Sequence, residues 1–172
     1  MQPAGTPTQA GPLRQERIEN GRIARLVLDA GRGNVIDSRL IGELRRAIRE
    51  LAGERELAAV VIDHSGADFS FGASVEEHAP GKVEAMLPSF HALARELVQL
   101  PIALIACVRG KCLGGGLELA ALADRVIAAP SARFAQPEIK LGVFAPIGSL
   151  LLPRLGGAQR AADLLLSGRT ID

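Results

Sequence analysis

The sequence predicts an α/β domain. Three observations carry the prediction: short apolar runs rich in β-branched residues at 58–62 and 102–108, stretches between strands with apolar residues at helical spacing, and a strand, glycine loop, helix unit over 102–123. At 172 residues with 48% hydrophobic content the chain can bury one core, which places a disordered lead-in at 1–12 and a single domain at 13–172. Aromatic residues make up 3% of the chain, with no Trp or Tyr, so the core has to be packed from Leu, Val, Ile and Ala.

Residues 17–19 and 23–29 read as two strands around a tight hairpin turn at Asn20-Gly21, because both residues accept positive φ. Leu40, Ile41, Leu44, Ala47, Ile48 and Leu51 then recur at helical spacing. Asp37 or Ser38 can cap that helix, Gly53 can end it, and Arg45, Arg46 and Arg49 fall on its outer face as a solvated rim. The run 58–62 is too short for a helix and reads as a strand buried on both faces of a parallel sheet. A polar loop at 63–70 leads into Phe71-Gly72-Ala73-Ser74, after which Glu76 and Glu77 suit the first turn of a helix.

Met86, Leu87, Phe90, Leu93, Ala94, Leu97 and Val98 mark a second long amphipathic helix stopped by Pro101, with Pro88 either kinking it or marking its true start. Residues 102–108 form another buried strand, 110–116 the glycine loop and 117–123 the helix behind it. A strand at 125–129, extended chain and loop at 134–142, and a closing helix at 158–166 after Gly156-Gly157 complete the reading. No sequence repeat is visible.

A net charge of +1 with mixed signs gives no basic stripe, which argues against nucleic-acid binding. No apolar run reaches bilayer length, and the lead-in carries neither a charged n-region nor an apolar h-region, so the expected address is cytoplasmic and off the membrane. Cys107 and Cys112 fit reduced thiols there; they lack the second ligand pair of a structural zinc site, and no metal is assigned.

Glycine at 115 lets the chain expose its N–H without a side chain in the way, and the following helix adds the positive end of its dipole, so an anionic oxygen can be held there. The loop matches neither common nucleotide signature. Gly72-Ala73 also follows a strand and loop and precedes a helix, which makes the N–H of Ala73 a second donor for the same oxygen. Glu118 emerges in the first helical turn after Gly114-Gly115-Gly116-Leu117, and Glu138 sits in Gln136-Pro137-Glu138, where proline stiffens the approach to a loop. An acidic group at a helix start is favourable by itself, and lone loop glutamates are mostly solvated, so each alone has a structural explanation too. Two amides and two carboxyl groups together are what is needed to move water and protons on a thioester that becomes an enolate. His64, His78 and His91 are assigned no catalytic part; His78 could line the acyl pocket, but is read first as a surface residue at a helix start.

Phe69-Ser70-Phe71-Gly72-Ala73, Gly110-Lys111-Cys112-Leu113-Gly114-Gly115-Gly116-Leu117-Glu118 and Phe134-Ala135-Gln136-Pro137-Glu138-Ile139-Lys140-Leu141-Gly142 resemble, in order and spacing, the crotonase (enoyl-CoA hydratase/isomerase) superfamily. The resemblance runs from about Ile18 to the end of the chain and implies a spiral of repeated ββα units. It implies an oxyanion hole at Ala73 and Gly115, with Glu118 and Glu138 as acid and base in hydrating an α,β-unsaturated acyl-CoA. Phe69, Phe71, Gly72, Ser74, Gly114 and Phe144 would border the substrate. Coenzyme A enters as part of the substrate, with no cofactor besides.

A narrower likeness, in residues 69–78 and in Gly142-Val143-Phe144-Ala145-Pro146, is to the branch that hydrates cyclohexa-1,5-diene-1-carbonyl-CoA. Ser74 stands where many members have Asp, and Phe71, Val75 and Phe144 could wall a pocket for a flat ring. Family members continue through further helices past the position of Asp172, so the C-terminal helical region is expected to be missing; with it supplied, the resemblance implies a homotrimer or a dimer of trimers. The alternatives are a double-bond isomerase and a shortened subunit that binds acyl-CoA without turnover.

Overall fold

Inward-pointing Ala24, Leu26 and Leu28 on the second strand, all nearly inaccessible, show how the N-terminal hairpin seeds the core. The computed structural model describes residues 11–172, and positions 1–10 of the expected lead-in lie outside the described residues. Strands β1 (Leu13–Ile18) and β2 (Ile23–Leu28) pair antiparallel with Ile18 opposite Ile23. The turn is therefore wider than a tight Asn-Gly turn: it takes in Glu19 to Arg22, with positive φ at Glu19, Asn20 and Gly21 in succession.

Helix α1 (Ser38–Leu51) buries the six apolar residues expected, and Asp37 caps it by accepting the Leu40 N–H at 2.8 Å. Its arginines are taken up by carboxylates: Arg45 and Arg49 by Glu96, Arg46 by Glu43 and Glu50. Strand β3 (Ala59–His64) follows, and α2 (Val83–Val98) packs on α1. Pro88 lies inside α2 and does not start it. Glu76 and Glu77 open only a single 3-10 turn, Glu76–His78.

Strands β4 (Ala103–Val108) and β6 (Arg125–Ala128) complete a sheet ordered β1-β2-β3-β4-β6, in which β2, β3, β4 and β6 run parallel. Leu104, Ala106 and Val108 join Val60, Ile62 and the apolar faces of α1 and α2 in one core. Of the expected buried strand 58–62, Ala59, Val60 and Ile62 are buried, Val61 is half-buried, and Ala58 is exposed and lies before β3.

A second, smaller layer positions the site. Residues 69–74 lie between chain 33–36 and β5 (Lys111–Leu113), held by Phe71 N–H to Gly33 O at 2.7 Å, Ile36 N–H to Gly72 O at 2.9 Å and Leu113 N–H to Ser70 O at 2.9 Å. Strand β5 pairs parallel with β7 (Arg133–Ala135), which pairs antiparallel with β8 (Thr170–Ile171). Successive turns of chain thus add a long strand to one layer and a short extended segment to the other, with a helix closing each turn. Helix α3 (Gly115–Ala121) starts earlier than the spacing indicates, α4 (Pro146–Gly156) stands where no element is expected, and α5 (Ala158–Ser167) closes the chain.

Candidate active site

Two glycines bring the loops together. Gly72 has φ of 102°, and a Cβ there would meet Leu113 O at 2.9 Å, so glycine is required both by conformation and by space. A Cβ on Gly115 would lie 3.1 Å from the Ala73 nitrogen, which shows how closely the two backbones approach. Neither the Ala73 N–H nor the Gly115 N–H donates a hydrogen bond among the described residues. Two such neighbouring donors can hold one oxygen.

Glu118, on the first turn of α3, is 4% exposed, and its Oε1 accepts the Gly148 N–H at 2.7 Å. Burial pushes its carboxyl up to about 7; the Gly148 bond opposes that rise and the Glu138 charge adds to it. Glu138 sits in a 3-10 turn, Pro137–Leu141, and its Oε1 accepts from Gln136 Nε2 at 3.1 Å. A Cβ on Gly114 would lie 2.7 Å from that same Oε1. Burial raises the Glu138 carboxyl above its ordinary range as well, and its Oε2 is buried without a hydrogen-bond partner.

Ala73, Gly115, Glu118 and Glu138 line one cavity of about 450 Å³. Phe71, Gly72 and Gly114 border it, together with Val75, Leu141 and Val143. Three expected residues stand elsewhere. Phe69 is fully buried in the core, edge-on to the His64 ring at 5.6 Å. Ser74 anchors the following turn, its carbonyl meeting His78 Nδ1 at 2.7 Å. Phe144 is 72% exposed and lines a neighbouring hollow with Ala162, Leu165 and Leu166.

The sequence reading missed Gly148 and left His78 out of the site; the structure puts His78 in the cavity wall. A signal for Gly148 exists in Pro146, since proline opens helices and leaves the next N–H groups free. Buried Cys112, pushed up to about 12 by burial, keeps its proton, and among the described residues no three His, Cys, Asp or Glu side chains are grouped to hold a metal. No helix among them is long and apolar enough to cross a membrane.

The sequence pattern of the enoyl-CoA hydratase/isomerase family matches residues 19–172. The chain belongs to this family. A cyclohexa-1,5-dienecarbonyl-CoA hydratase of Thauera aromatica is 46% identical over 163 residues, which is 95% of this chain and 63% of that protein. A probable enoyl-CoA hydratase of Mycobacterium tuberculosis is 40% identical over 81% of this chain and 55% of its own. The crystal structure of an enoyl-CoA hydratase of Mycobacterium smegmatis superposes with a TM-score of 0.88 at 27% identity, covering 94% of this chain and 65% of that one. The chain thus spans less than two thirds of the length of these family members.

Proposed function

We propose that this chain hydrates an α,β-unsaturated acyl-CoA thioester. The observation that carries the reading is the convergence of two amides free of protein acceptors, the buried Glu118 carboxyl and the half-buried Glu138 carboxyl on one cavity. The thioester oxygen sits between the N–H groups of Ala73 and Gly115, which take up the negative charge of the enolate as it forms. Polarisation opens the β-carbon to water. Glu118 as carboxylate orients that water and takes one proton while the hydroxide portion bonds to the β-carbon; the Gly148 N–H stabilises this charged form.

Glu138, in the wall of the same cavity, delivers its proton to the α-carbon. Water is consumed, one carboxyl gains a proton and the other loses one, and exchange with solvent restores the pair. Mutual repulsion and burial favour a single proton on the two groups near neutral pH. The favoured substrate is cyclohexa-1,5-diene-1-carbonyl-CoA. The identity to the Thauera hydratase and the apolar wall of Phe71, Val75, Leu141 and Val143 support that choice.

Crotonyl-CoA and the cyclic dienoyl-CoA, offered separately while the conjugated-thioester absorbance is followed, test the proposal. Hydration gives loss of absorbance and a product heavier by one water, abolished in Glu118→Gln and Glu138→Gln. A moved double bond with no water gained makes the protein an isomerase, and acyl-CoA binding unaffected by either variant makes it a binding subunit.

A further inference from the structure

His78 lines the cavity together with Glu118 and Glu138, yet hydration as derived above does not use it. The ring is oriented: Nδ1 lies 2.7 Å from the Ser74 carbonyl oxygen, and because a carbonyl only accepts, Nδ1 carries a proton and Nε2 is outside that bond. The turn that bears it is tied down too. Glu77 Oε2 accepts both the N–H and the hydroxyl of Ser38 at the start of α1, at 2.9 and 2.8 Å, and the Glu77 and His78 N–H groups close onto Ser74 O and Val75 O. His78 is exposed, as a surface residue would be, and its turn, tied to α1, places it at a cavity that contains a carboxyl pair.

The charged groups around it come from each neighbouring element. Glu118 is supplied by α3 and Glu138 by the turn Pro137–Leu141; Glu76 and Glu77 lie on its own turn, the latter engaged by Ser38. Lys82 and Glu84 stand where α2 meets that turn, and Lys111 is drawn off over the Phe71 ring, 5.4 Å from its centroid. Of these, the carboxyls inside the cavity are the two that a protonated His78 ring favours in ionised form.

We propose that His78 is a positioning residue for this pair: its protonated ring holds one carboxyl ionised while the other keeps its proton, the division of roles that hydration demands. Its purpose rests on the hydration reading, whereas the electrostatic coupling stands without it.

The test uses the full chain with 13C-labelled glutamate carboxyls, titrated by NMR in the native protein, in His78→Gln and in His78→Lys, the signals of the pair being assigned by their disappearance in Glu118→Gln and Glu138→Gln. In His78→Gln the titration of the pair moves up by roughly half a pH unit or more, and in His78→Lys, where a positive charge is restored, it returns to the native position or below. The acid limb of turnover on crotonyl-CoA moves in the same direction, with kcat affected more than KM. Titrations that stay in place in both variants, or move alike regardless of charge, overturn the proposal. Carboxyl titration needs no substrate, so a protein that failed to hydrate would sink the hydration reading and still leave this coupling measurable.

Discussion

Glu118 illustrates what a buried carboxyl costs its own fold. Burial pushes its carboxyl from the ordinary 4.5 up to about 7, so the folded state binds more protons than the unfolded one between those values. Stability contributed by this group is therefore present at low pH and lost as pH rises toward 7. Glu118→Gln, which removes the charge and leaves an oxygen for the Gly148 N–H, is expected to stabilise the protein at pH 8 by up to about 3 kcal/mol and by little near pH 4. Urea denaturation at the two pH values reads this. Gly115→Ala adds a methyl 3.1 Å from the Ala73 nitrogen and should cost roughly 100- to 1000-fold in kcat with the fold retained, as measured by turnover and circular dichroism.

The two glutamates and two amides were legible because a local backbone device, glycine or proline, flanks each of them. Gly148 and His78 were not, because their roles depend on where α4 and the 76–78 turn come to rest against α3, which local spacing does not encode. Ser74 sits next to Ala73 in sequence, but adjacency along an extended segment sends neighbouring side chains to opposite sides, and Phe69 is drawn into the core against His64.

At the scale of elements, α1 was read in full because its six apolar residues keep one face and Asp37 provides the start. Asp37→Ala removes the bond to the Leu40 N–H and should lower the unfolding free energy by about 1 kcal/mol, measurable by denaturant titration. Helix α4 went unread for another reason: Ile147, Leu150, Leu151 and Leu155 keep helical spacing, but Leu152 lies outside their stripe, and Pro146 at the start and Pro153 within read as breakers. Only Ile147 and Gly148 in it are buried. The short strands β5, β7 and β8 lack the length over which alternation becomes visible, and their pairing is dictated by the long strands beside them.

For the molecule as a whole, the α/β class and the parallel sheet followed from the buried runs, and the layered arrangement followed only from the family resemblance. Charge is organised so that two groups pull the pH dependence of folding in opposite directions. Burial alone would raise Asp63, but Arg25, the His64 N–H and Arg109 together hold its carboxyl below the usual range. Its contribution is present above the unfolded value and is lost as pH falls through the lower folded one, whereas Glu118 acts against folding as pH climbs toward 7. Maximum stability is expected on the acid side of neutrality, near about pH 5, and a urea midpoint series from acid to alkaline pH checks it.

The short pairing of β5 with β7 has a bearing on where such a domain can take an insertion. Leu113 faces Ala135 and the Gly114 N–H reaches Ala135 O at 2.9 Å, so the excursion through α3 and β6 leaves from and comes back to one spot, as a loop of rope does when both ends are tied to a single post. Slack added beyond the first turn of α3, for instance around Pro130, would billow outward without loosening the knot. An insertion at the Pro130 turn, between β6 and β7, is therefore expected to leave the distance between Glu118 and Glu138 as it is.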